Sequence, residues 1–106
     1  MIDEQAIQEA ARMLAEAAGS AAEVILFGSR ARGDADDRSD VDFLVIEPGV
    51  RSVYEEMVRL NQILASVGLP ADVIVMSREQ FDYWKDTPNT LAYRVSREGR
   101  VYAKAG

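Results

Sequence analysis

Three aspartates and one glycine–serine pair are the residues of this chain best placed to do chemistry. Asp40 and Asp42 stand two apart at the head of Val41-Asp42-Phe43-Leu44-Val45-Ile46, a β-branched and aromatic run that reads as a strand. Side chains alternate along a strand, so both carboxylates project to one face, about 7 Å apart along the backbone, while Val41 and Phe43 take the other. Leu44 and Ile46 continue the carboxylate face as apolar residues, which puts the pair where buried surface gives way to a cleft. Two uncompensated negative charges there are costly to desolvate, and a divalent cation offsets that cost. Asp72 repeats the pattern ahead of Ile74 and Met76. If the two strands are neighbours, it lies about 5 Å across the ladder from the pair. Three carboxylates on adjacent strand ends can hold one or two Mg2+ ions, which complete their octahedral shells with phosphate oxygens and water.

Phosphate chemistry also needs an anion cradle, and Gly28-Ser29 directly follows the apolar run Val24–Phe27. Glycine lets the chain turn and lets backbone N–H groups approach a ligand; serine adds a hydroxyl, and a following helical turn points amides at an anion. Arg30 and Arg32 either add positive charge for a triphosphate or pair with Asp34, Asp36 and Asp37 in a solvated loop. Taken singly, an aspartate at a strand start is most often a cap or a solvated residue, and Gly-Ser an ordinary turn. The reading rests on the combination, because turn, aspartate pair and third aspartate each occupy a strand end in the order one catalytic face needs.

The elements that must position these residues follow from periodicity. Ile7, Ala10, Ala11, Leu14 and Ala18 mark one face of a first helix, with Asp3 as N-cap and Gly19 as stop. Val24–Phe27 is short and continuously apolar, so it reads as a central strand buried on both faces. Residues 28–39 are loop with about one helical turn. After the aspartate strand and Pro48-Gly49, Ser52-Val53-Tyr54-Glu55 has the form of a capping box and opens a helix running to Gly68. Asp72–Met76 is a third strand; Ser77 and Gln80 start a short helix through Phe81 and Trp84. Thr87-Pro88 reads as an N-cap with proline at the first helical position, opening a last helix that Gly99 ends, and Val101–Ala103 forms an edge strand. Trp84, Phe81 and Tyr93 are read as core, Tyr54 and Tyr83 as fillers between surface and core. The order predicts a small α/β domain with helices packed on a sheet, one domain over residues 1–106. Strand order is not readable from this pattern.

Composition narrows the chemistry further. The 106 residues contain neither cysteine nor histidine, which excludes thiolate and imidazole chemistry and leaves oxygen ligands for any metal. A net charge of −6 argues against independent nucleic-acid binding. The absence of a long apolar run and of a basic, apolar leader predicts no membrane segment and a cytoplasmic location.

The segment GSRARGDADDRSDVDFLVI resembles the G-S…G…S-D-x-D block of the DNA polymerase beta-like nucleotidyltransferase superfamily, and PADVIVMS resembles the segment bearing its third carboxylate. The likeness runs from the first helix to about Ser77, and the short length resembles the minimal nucleotidyltransferases, often the antitoxin of a pair with a HEPN-domain toxin. The resemblance implies the α/β (α+β) nucleotidyltransferase fold, a mixed sheet of three to four strands with about four helices. It makes Gly28 and Ser29 the triphosphate-binding turn, beside which Arg30 is a further binding candidate by its charge, and Asp40 and Asp42 ligands of Mg2+. Asp72 becomes the third ligand and the group that helps activate the acceptor hydroxyl. The implied activity is transfer of AMP from ATP, or of another nucleoside monophosphate, to a hydroxyl of a partner, a HEPN-type toxin or another small helical protein encoded nearby. Two departures are visible: Phe43 stands where leucine is common, and the helical domain of larger relatives has no counterpart here, so the acceptor site is expected from another chain. Two alternatives stay open, a non-catalytic antitoxin that binds nucleotide and acts by complex formation, and a small-molecule transferase of the antibiotic-modifying kind.

Overall fold

In a computed structural model, residues 3–33 and 40–104 are described. The loop aspartates Asp34, Asp36 and Asp37 lie outside them. Helix α1 spans Glu4–Ala18, and Asp3 caps it by accepting a hydrogen bond from the Ala6 N–H at 2.8 Å. It leads into β1 (Glu23–Phe27), the single turn α2 (Ser29–Arg32) and β2 (Val41–Glu47). Helix α3 (Val53–Ala65) follows Ser52, whose hydroxyl accepts from the Glu55 N–H at 3.2 Å as the capping pattern predicts. Strand β3 (Ala71–Ser77), helices α4 (Arg78–Trp84) and α5 (Leu91–Glu98), and β4 (Arg100–Ala103) complete the order. The result is a mixed α/β nucleotidyltransferase-like fold with a four-stranded sheet and five helices among the described residues, one more helix than expected because the turn after Gly28 is helical.

The sheet order is β3-β2-β1-β4. β1 pairs antiparallel with both β2 and β4, whereas β2 and β3 run parallel. Two strands joined through a helix can run parallel, and α3 is that crossover. Alternation along β2 then divides the core. Val41, Phe43 and Val45 pack with α1 and α3, while Leu44 and Ile46 pack with Ile25, Phe27 and the α4/α5 residues Phe81, Ala92 and Val95. The carboxylates therefore lie on the α4/α5 side.

Three expectations are corrected. The last helix starts at Leu91, with Thr90 as its cap; Thr87 and Pro88 belong to the preceding turn. Thr90 can cap because its hydroxyl accepts from the Tyr93 N–H at 3.1 Å while donating to the carbonyl oxygens of Trp84 and Thr87, and Asn89 reverses the chain at φ 70°. Tyr54 and Tyr83 are each 73% exposed rather than fillers. Trp84 is also exposed, because the short α4 turns only Phe81 fully onto the sheet; Trp84 packs edge-to-face on Tyr83 instead.

At the far end of β2 from Asp42, Glu47 is buried with one carboxylate oxygen unpartnered. Burial, then its hydrogen bond to Glu56 and the charge of Glu56, push its carboxyl up to about 8 against an ordinary 4.5, with Arg59 opposing. A carboxyl raised in the folded state stabilises fully below the unfolded value, and that stability is lost as pH rises through the folded value. Glu47→Gln keeps a donor for Glu56 and cannot ionise. The variant should match the parent in urea unfolding near pH 4 and exceed it by about 1–2 kcal/mol at pH 8. A constant difference across that range would refute the assignment.

Candidate active site

Asp42 sits in a row of three strand ends. It is opposite Phe27 on β1 and opposite Asp72 on β3, so the two carboxylates are lateral neighbours across the parallel ladder. Strand spacing puts their backbones about 5 Å apart. The neighbouring of strands two and three, conditional in the sequence, is therefore met. Gly28, one residue beyond Phe27, closes the row from the other side. A Cβ built there would lie 2.7 Å from the Asp42 Oδ2, and its φ of 82° with ψ of −158° is a conformation essentially reserved for glycine. The turn thus lets backbone approach the carboxylate, while the Gly28 carbonyl accepts from the Ala31 and Arg32 N–H groups and starts α2.

These residues line an open cleft of about 600 Å3, floored by Phe27, Gly28, Ser29, Asp42 and Asp72. Arg32 lines it; Arg30, half-buried on the same turn, is not among its lining residues. Asp40 is exposed at the lead-in to β2 and also outside the lining, yet its charge is felt at Asp42. Burial raises the Asp42 carboxyl above the ordinary range first, then Asp72 and Asp40, with Arg94 acting in the opposite direction. Among the described residues no three carboxylates are drawn into a formed metal cage. What the fold brings together is the Asp42–Asp72 pair, with Asp40 at its rim.

Two cleft residues escaped the sequence reading. Asn61 on α3 donates to the Val73 carbonyl at 2.9 Å and accepts from the Val73 N–H at 3.0 Å, so its amide takes the place of a further strand along the outer edge of β3. This fixes the backbone immediately after Asp72. A polar residue beside the core positions Leu60 and Leu64 was the available signal. Arg94 reaches the cleft from α5 beside Leu91, and nothing in its local spacing distinguishes it from Arg97.

Residues 7–98 match the nucleotidyltransferase domain family. The chain belongs to that family. A Methanocaldococcus jannaschii protein named "putative protein adenylyltransferase" is 33% identical over 103 residues, covering 95% of this chain and 98% of that one. The crystal structure of a "putative nucleotidyltransferase" from Sulfolobus solfataricus superposes with a TM-score of 0.58 at 32% identity, over 76% of this chain and 71% of that one. A toxin–antitoxin structure with AMP-PNP shares the fold at a TM-score of 0.64 and 15% identity, covering 92% and 73%. This nucleotidyltransferase is therefore a transferase whose carboxylate row and Gly28 turn open on one cleft. Among its described residues no helix is long and apolar enough to cross a membrane.

Proposed function

We propose that this nucleotidyltransferase moves AMP from ATP to a hydroxyl of a partner protein, with a HEPN-type toxin as the partner class. The observation that carries the reading is the lateral sequence of Gly28 just past β1, Asp42 on β2 and Asp72 on β3, in which a glycine turn, a half-buried carboxylate and an edge carboxylate stand side by side. The name of the M. jannaschii relative supports protein adenylylation, and the toxin–antitoxin neighbour with AMP-PNP supports a toxin as partner and an adenine nucleotide as substrate.

The donor set suits Mg2+: burial and the charges of Asp72 and Asp40 raise the affinity of Asp42 for positive charge, and a chain without histidine or cysteine offers only oxygen ligands. Asp42 and Asp72, joined by Asp40, would hold it; when bound it supplies charge stabilisation at the α-phosphate. The protein's own groups do the rest. β3 is an edge strand and Asp72 is exposed, so an acceptor hydroxyl approaches from that side. Its oxygen attacks the α-phosphorus, its proton passes to the Asp72 carboxylate, and the bond from the α-phosphorus to the bridging oxygen breaks. Pyrophosphate leaves with that electron pair. Ser29 donates its hydroxyl to the phosphates, and the turn at Gly28 keeps backbone close to them. The chain's charge of −6 suits a basic partner surface.

The test is incubation with labelled ATP, Mg2+ and the product of the adjacent gene, followed by intact mass of both proteins. One or more AMP additions on the neighbour are expected. Stable complex formation without any mass gain would replace this reading with a binding module.

A further inference from the structure

Resting on the nucleotide site proposed above, we infer that Arg94 is a substrate-binding residue that holds the leaving pyrophosphate portion of the triphosphate. The position of α5 determines which side of the cleft Arg94 serves. Its buried residues Ala92 and Val95 pack with Ile25 and Phe27 of β1, so the helix covers the β1 side of the cleft, away from the β3 edge. Arg94 projects from it into the same cleft as Gly28, Ser29, Asp42 and Asp72. The Arg94 guanidinium makes no hydrogen bond or ion pair with another described residue, whereas that of Arg32 donates to Glu98 at 3.3 Å.

The chemistry of transfer calls for a cation on that side. The α-phosphorus must lie beside the carboxylate row for the acceptor to reach it from the Asp72 side. In-line displacement then sends the departing oxygen away from Asp72, toward β1 and α5. The departing group is the most negative part of the substrate, gains charge as its bond to the α-phosphorus breaks, and is repelled by the aspartates. A guanidinium presents several donors in a fixed fork that suits phosphate oxygens. A second hollow of about 460 Å3 continues from the cleft along α5, sharing Leu91 and Arg94 with it, so the phosphate chain has room to run past Arg94.

Calorimetric titration of the whole chain with ATP and with AMP, each in Mg2+, tests the inference. Arg94→Ala should weaken ATP about tenfold or more and leave AMP unchanged, and Arg94→Lys should recover part of the loss. Arg94 is exposed, so both variants should melt like the parent. Equal ATP affinity in parent and Arg94→Ala would overturn the inference while leaving the nucleotide site standing. Equal losses on ATP and AMP would also overturn it, by moving the contact to the nucleoside or α-phosphate. Failure of the parent to bind ATP would bring down the site and this inference together.

Discussion

Asp42→Asn is expected to lower nucleotidyl transfer by at least about 10²–10³-fold in a protein that is folded and no less stable than its parent. The two halves of that expectation share one cause. Asp42 is half-buried, its carboxyl is pushed upward by burial and then by Asp72 and Asp40, and the charge of Arg94 only partly opposes this. A carboxyl raised in this way favours the folded state at low pH and loses that advantage as pH rises. Asparagine removes the titration and keeps the shape, so the metal-free variant should melt at or above the parent's temperature at pH 7. What asparagine cannot supply is charge for a cation. Mg2+ with ATP should therefore raise the melting temperature of the parent, since ligands that bind only the folded state stabilise it, and raise that of the variant far less. Thermal unfolding with and without Mg2+ and ATP, alongside initial rates on the partner protein, checks both halves. A variant with parental rate, or with the parental Mg2+ response, would remove Asp42 from the site.

Gly28→Ala should be equally damaging to transfer, and a matched control separates the reasons. The variant would suffer backbone strain at φ 82° and would also drive its new Cβ against the Asp42 carboxylate, where only 2.7 Å is available to Oδ2 and 3.6 Å to Cγ. Gly19, at the end of α1, has φ 104° and ψ 167°, a similar glycine-only conformation, with nothing within 4 Å of a built Cβ. Both Gly28→Ala and Gly19→Ala should cost about 1–3 kcal/mol of stability from the backbone. Only Gly28→Ala should reduce transfer, by about 10²-fold or more, because it would displace the carboxylate proposed to hold the cation at the reacting phosphate. Equal activity of the two variants, measured at a temperature where both are folded, would show that the close approach at Gly28 serves packing alone.

Local chemistry made much of this protein legible from its sequence. Helix starts at Asp3, Ser52 and Ser77 are written in side chains that accept from N–H groups three residues on, and strands in runs of alternating or continuous apolar residues. Gly28, Ser29, Asp42 and Asp72 stood out because each sits at the boundary of such a run, and the cleft does gather them. Thr87-Pro88 imitates a helix start, while the capping role of the Thr90 hydroxyl, donating to Trp84 and Thr87 carbonyls and accepting from the Tyr93 N–H, is recognisable only once the turn is folded. Tertiary structure alone decided the rest. Strand order and the register of Asp42 with Asp72 depend on pairing between distant segments, which no local spacing encodes. Asn61, Arg94 and the buried Glu47 acquire their roles from what lies across from them in space: an unpaired strand edge, a carboxylate cleft and a second glutamate. A sequence displays side chains and their periods, but proximity between elements is created only by packing, and at this site proximity sets the charge balance.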